Sequence, residues 1–221
     1  MAGQGLLPGP ADAALFASAV LVLNATPGAD FLLTVSRTLQ GGVRAGVAAA
    51  LGISAGCVVH ALAAAFGLAA LLSLHPQAFV AIQWAGAAYL AWLGVGLLRQ
   101  AVRLVPGAPA MVDVPAHRGA AADFRTGLLT NLLNPKVALF FLAFLPPFVP
   151  ADSPSPTASF LLLGAWFVVQ GTLFLLLLVL LASRLRGAVR RRRRARLLEV
   201  VAGMMFLGLA LRLAVARPLS P

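Results

Sequence analysis

Three observations predict an all-α membrane protein with six transmembrane helices in two inverted three-helix repeats. The chain is 61% hydrophobic and 10% charged, with a mean hydropathy of +0.94; soluble domains are about 45–50% apolar and about 25% charged. Its few charges leave long uncharged runs, and its arginines gather in alternate connections between those runs. The same composition excludes a disordered chain, which is polar and charge-rich. It excludes a disulfide-stapled domain too, since Cys57 is the single cysteine. A net charge of +11 would suit a nucleic-acid binder, but a soluble basic domain does not carry this much Leu, Ala, Val and Phe. The bilayer is the solvent.

A spanning helix needs roughly 20 apolar residues. The first lies between Asp12 and Arg37, where Asp30 is the one charge. Ala45 to Leu98 carries none and is long enough for two spans, with a turn at Ser73-Leu74-His75-Pro76-Gln77. A fourth lies between Arg125 and Asp152, around Lys136, and a fifth runs from Ser153 to Ser183. The sixth, about Leu197 to Ala216, contains Glu199 and Arg212 near its ends, where long side chains reach the interface. The whole chain, 1–221, is read as one integral domain. Residues 12–100 form the first repeat, 101–123 a flexible cytoplasmic linker with Pro106, Pro109 and Pro115, and 124–217 the second repeat.

Basic residues mark the cytoplasmic connections. The first carries Arg37 and Arg44, the third Arg99, Arg103, Arg118 and Arg125, and the fifth eight arginines from Arg184 to Arg196. The second and fourth carry none, so both termini are expected outside. No cleavable signal peptide is expected, because no lysine or arginine precedes the first apolar stretch. The run Arg190 to Arg194 is assigned to topology and anionic lipid, not to nucleic acid.

The first span of each half is interrupted at a matching place, by Asn24-Ala25-Thr26-Pro27-Gly28-Ala29-Asp30 and by Asn131-Leu132-Leu133-Asn134-Pro135-Lys136. Such paired interruptions point to a transporter's binding site. Thr26-Pro27 and Asn134-Pro135 each place a capping residue before a proline, as at a fresh helix start. Because the two halves run oppositely, two helix N-termini, each worth about half a positive charge, would meet at mid-membrane and suit a carboxylate. A charge there costs at least ~2.5–3.5 kcal/mol, so Asp30 and Lys136 are functional candidates. Asp30 could hold an ammonium or exchange a proton, and Lys136 could hold a carboxylate or neutralise Asp30. That site suits a zwitterion. The competing reading is a proline-kinked helix pair with Asp30 and Lys136 in a structural salt bridge.

These residues resemble the LysE/RhtB family of bacterial amino-acid exporters. The run Thr26-Pro27-Gly28-Ala29-Asp30-Phe31-Leu32-Leu33, with Arg37 and Gly41-Gly42-Val43-Arg44-Ala45-Gly46 after it, is similar to the family's first-span signature. Ala50-Leu51-Gly52-Ile53-Ser54-Ala55-Gly56 resembles its second span. Asn131 to Lys136, followed by Phe140-Phe141-Leu142-Ala143-Phe144-Leu145-Pro146, resembles its most recognisable segment. Ala29 stands where the family pattern has a second proline, which predicts a softer first break. The resemblance spans about Ala13 to Ala216. It implies a LysE-like fold in the bacterial inner membrane and proton-driven export of amino acids or their small derivatives. Thr26, Pro27, Gly28, Asp30, Asn131, Asn134, Pro135 and Lys136 are the expected substrate-binding residues, with Asp30 and His60 as proton-coupling candidates.

Two other function classes compete. An inorganic-ion or metal-ion carrier needs several carboxylates or thiols at mid-membrane, where Asp30 stands alone. A membrane-embedded enzyme needs a nucleophile–base pair or metal cluster, which six acids, three histidines and one cysteine do not offer. Cys57 and His60 share a helical face, but two ligands are too few for a metal. His60 stays a relay candidate, because an imidazole can both give and take a proton. Gln83, Gln170 and Thr172 suit either a cavity wall or interhelical hydrogen bonds. Gly42-x-x-x-Gly46 and Gly52-x-x-x-Gly56 suit close helix packing, within the chain or in a homo-oligomer. No cofactor fingerprint or phosphate loop is present, so an ion gradient or the substrate's own gradient is the expected energy source.

Overall fold

The computed structural model describes residues 5–74, single positions between 77 and 99, residues 119–150 and 153–184, and Met204, Leu207 and Leu211. All regular structure among these is helical. The turn at 73–77 and the linker are described in part. The arginine run 190–194 and Gln83 lie outside the described residues, as does the sixth span apart from those three positions. We label the helices α1 (Pro10–Ala25), α2 (Ala29–Leu74), α3 (Ala120–Leu132), α4 (Pro135–Phe144) and α5 (Pro156–Arg184), with a single 3-10 turn at Pro146–Phe148.

Two of these, α2 and α5, are long and apolar enough to cross a membrane, and the bent pair α3–α4 makes a third if counted as one span. At 46 residues α2 is far longer than one span requires. It is interrupted at Gly42, where φ is 77° and ψ −170°, a conformation open to glycine and strained for other residues. The chain turns back there. A Cβ placed on Gly46 would run into Thr38 Oγ1, yet eight residues of unbroken helix would separate these positions by about 12 Å. Residues 29–41 and 43–74 are therefore two arms of a helical hairpin.

The second arm lies against α3 with almost no side chain between them. A Cβ on Gly52 would meet the Phe124 carbonyl, and one on Gly127 would meet the Ala49 carbonyl. Small residues at such a seam let backbones pack directly, the usual mode in a bilayer. The remaining helices pack through rings. Phe16 of α1 stacks on Phe144 at 5.3 Å and meets Trp166 of α5 edge-on at 5.5 Å. Phe140 and Phe144 of α4 stack at 4.2 Å, and Phe141 meets Phe167 of α5 at 4.7 Å. Gln170 of α5 ties this layer to α1 by donating to the Ala17 carbonyl at 2.7 Å. The outer face of α5 exposes Leu173, Leu177, Leu180 and Leu181, an apolar stripe suited to lipid.

Candidate functional site

The first break is Thr26-Pro27-Gly28, and it is complete: α1 ends at Ala25 and α2 begins at Ala29. Pro27 suffices without a second proline, so Ala29 does not soften the interruption. Its capping differs from the sequence expectation. Thr26 is not the N-cap of the new helix; it closes the old one, with its amide and its hydroxyl both donating to the Val22 carbonyl at 2.9 and 2.7 Å. A threonine hydroxyl readily bonds back to the carbonyl four residues earlier. Gly28 takes the position before α2, and its carbonyl accepts from Leu32 N at 2.9 Å.

The second break follows the sequence expectation closely. Asn134 precedes α4 in extended geometry, its side-chain oxygen accepts from Lys136 N at 3.1 Å, and Pro135 opens the helix. The chain bends here by 52°.

Each proline withholds the amide that would have served the carbonyl four residues before it. For Pro27 that carbonyl is Leu23 O, and for Pro135 it is Asn131 O. Both receive a side chain from elsewhere in the fold. Lys136 Nζ donates to Leu23 O at 3.2 Å and to Thr26 O at 3.3 Å. His60 Nε2 lies 3.2 Å from Asn131 O, a hydrogen bond when Nε2 carries the hydrogen. Asp30, in the first turn of α2, reaches the other way: its Oδ2 accepts from Asn131 Nδ2 at 2.9 Å and Asn134 Nδ2 at 3.3 Å. Each break thus lends a charged side chain to the other. Asp30 and Lys136 are not in a direct salt bridge; among the described residues the close ion pair is Arg37–Asp123.

The first turns of α2 and α4 open on one cavity of about 40 Å³, room for roughly three waters. Of the residues expected from sequence, Thr26, Gly28, Asp30, Asn134 and Lys136 line it. Pro27, Asn131, Pro135 and His60 do not, though Asn131 stands directly behind Asp30 and also donates to Cys57 Sγ at 3.3 Å. Asp30 Oδ1 is buried and makes no hydrogen bond among the described residues. The far wall is supplied by the second arm of α2 and by α5, including Ser54, Cys57, Gly171 and Thr172.

Neither Ser54 nor the Arg37–Asp123 pair stands out in the sequence. Arg37 Nε lies 3.2 Å from Asp123 Oδ1, with both side chains buried. The sequence places Arg37 in a loop and Asp123 in the linker, whereas residues 120–123 are the first turn of α3. The pair becomes legible once the Asp30–Asn131 contact is known. Arg37 is seven residues beyond Asp30 and Asp123 eight before Asn131, so two turns of helix carry a second bond between the same two helices.

Comparisons with known proteins give the family. The profile of the LysE type translocator family matches residues 21–217. The chain is 36% identical over 191 residues to an uncharacterized membrane protein of Pseudomonas aeruginosa, covering 86% of this chain and 88% of that one. It is 29% identical over 196 residues to the homoserine/homoserine lactone efflux protein of Salmonella typhimurium, covering 89% and 92%. It is 30% identical over 189 residues to the leucine efflux protein of Klebsiella pneumoniae, covering 85% and 87%. No solved structure matches.

Proposed function

The chain belongs to the LysE-type translocators, transporters rather than enzymes, and from that premise we propose that it is a secondary active exporter. It carries amino acids or small amino-acid derivatives out of the cytoplasm on the proton gradient. Relatives named for homoserine and leucine efflux support the substrate class. The observation that carries the reading is that Asp30 and Lys136 line one cavity, each held by neutral partners and not by the other. Two opposite charges kept apart in low dielectric match a ligand bearing both.

In this reading Asp30 Oδ1 accepts the substrate ammonium. The carboxylate sits at the start of α4, where free amides and Lys136 offer positive potential. Asp30 also takes up the coupled proton, with His60 as the second candidate. The remaining architecture follows. Helix α1 with residues 29–41 forms the first span, 43–74 the second, α3–α4 the broken fourth and α5 the fifth. Repeats 12–100 and 124–217 are inverted about the linker. Both termini lie outside the bacterial inner membrane, and the arginine connections, including Arg190–Arg194 on anionic lipid, are cytoplasmic. Among the described residues no group of three or more potential metal ligands converges.

The test is counterflow of labelled amino acids into proteoliposomes, with and without an imposed pH gradient. Accumulation that rises with the gradient and falls when it is dissipated is expected. Exchange indifferent to the gradient removes proton coupling, and absence of any amino-acid exchange removes the function.

A further inference from the structure

Lys136 gives its charge to neutral atoms. Its Nζ donates to Leu23 O at 3.2 Å and to Thr26 O at 3.3 Å, although Asp30 lines the same cavity. Both acceptors sit where α1 ends, on residues that are buried. The last carbonyls of a helix form its negative pole, which suits a cation. A neutral donor would close this end as well, as the Asn134 amide does for Asn131 O. A primary ammonium at this depth is costly, and yet it is what the end of α1 holds. Gly28 leaves room for it: a Cβ there would come within 3.4 Å of Nζ.

An ammonium carries three hydrogens, and Lys136 places two of them on these carbonyls. Asp30 Oδ1, in the same cavity, is buried and accepts from no donor among the described residues. Two carbonyls and one carboxylate oxygen make three acceptors. That is the number a free R–NH3+ can serve, whereas Nζ, tethered from α4, reaches only the carbonyls.

We propose that Lys136 is a built-in competitor, its ammonium occupying the subsite that the substrate's own ammonium takes on binding. The proposal rests on the reading of the cavity as an amino-acid site. An incoming –NH3+ replaces Nζ on Leu23 O and Thr26 O and gives its third hydrogen to Asp30 Oδ1. The displaced Nζ, on a flexible four-carbon stem, turns to the substrate carboxylate at the start of α4. The carbonyls stay covered, while the tether between the two breaks is released. Recognition through three hydrogens makes the subsite selective for an unsubstituted amine over its N-alkylated isomers.

Removing the competitor tests this. Lys136→Met keeps the stem and opens the cradle, so propylammonium is expected to raise the variant's melting temperature by about 2–4 °C. Trimethylammonium, an isomer with one N–H in place of three, is expected to do little, and the wild-type protein to respond to neither. Equal shifts in wild type and variant, equal shifts with the two isomers, or no shift at all overturns the proposal. Should the variant not fold, the wild-type protein decides alone. L-valine is then compared with two of its isomers, N,N-dimethyl-L-alanine and trimethylglycine, as competitors of amino-acid counterflow. Valine is expected to compete better than either by about tenfold or more, the scale of a lost hydrogen bond to a charged group. Equal competition by all three overturns the proposal. Amino-acid exchange without this discrimination leaves the transport function standing and removes the subsite; no exchange of any amino acid removes both.

Discussion

The two helix breaks solve one problem with different chemistry. Pro27 and Pro135 each orphan a carbonyl, at Leu23 and Asn131. The first is covered by the ammonium of Lys136, a residue of the other break. The second is covered by the His60 imidazole and also by the amide of Asn134, which bonds Asn131 O at 3.0 Å. The second break is therefore redundantly satisfied and carries its own cap, whereas the first has no side-chain cap for α2 and depends on its partner. Asp30 repays that dependence by holding the amides of Asn131 and Asn134. Under the proposed function, a substrate that drew Asp30 or Lys136 away from these partners would loosen the opposite break, which would couple the two half-sites.

The largest effect should come from Asp30→Asn, which keeps the shape and removes the charge. Counterflow is expected to fall about 100-fold, the scale of losing a desolvated charge partner, while thermal unfolding in detergent moves little. A variant exchanging at wild-type rates would show that the breaks are joined for structure and not for transport.

Next in size is the contrast between the two covered carbonyls. Lys136→Met leaves Leu23 O without its side-chain donor and is expected to cost about 1–3 kcal/mol of stability. His60→Phe leaves Asn131 O with the Asn134 amide and should cost less than about 1 kcal/mol. Thermal shifts of the two purified variants decide it, and equal shifts would abolish the asymmetry.

The smallest effects separate the caps. Asn134→Ala removes the N-cap of α4, worth about 1 kcal/mol. Thr26→Val removes a hydroxyl whose acceptor, Val22 O, keeps the Thr26 amide, so its cost should stay below about 0.5 kcal/mol. The same melting measurement serves, and a Thr26→Val loss as large as that of Asn134→Ala would mean that both breaks are capped alike.

What could be read in advance follows from range. Proline, asparagine and glycine act within four residues, so both interruptions and the Asn134 cap were visible in the chain. Asp30 and Lys136 stood out because charge is rare in an apolar run. Their partners were not visible. Asn131 is 101 residues from Asp30 and Lys136 is 113 from Leu23, and periodicity does not say which helices become neighbours. The same limit misread Arg37: a cation near the end of an apolar stretch suggests a loop unless the carboxylate that buries it is known. Thr26 failed for a local reason, since its hydroxyl serves the helix behind it as readily as the one ahead.

The glycine seam bears on how such a molecule could move. Where Gly52 meets Phe124 and Gly127 meets Ala49, two main chains rest on each other with no cushion of rotamers to rearrange. Hinging them apart would forfeit contact all at once. Ring faces between α1, α4 and α5 slip with little loss of area, so the less costly direction for opening the chamber is on the aromatic side, with the hairpin and α3 as the fixed keel.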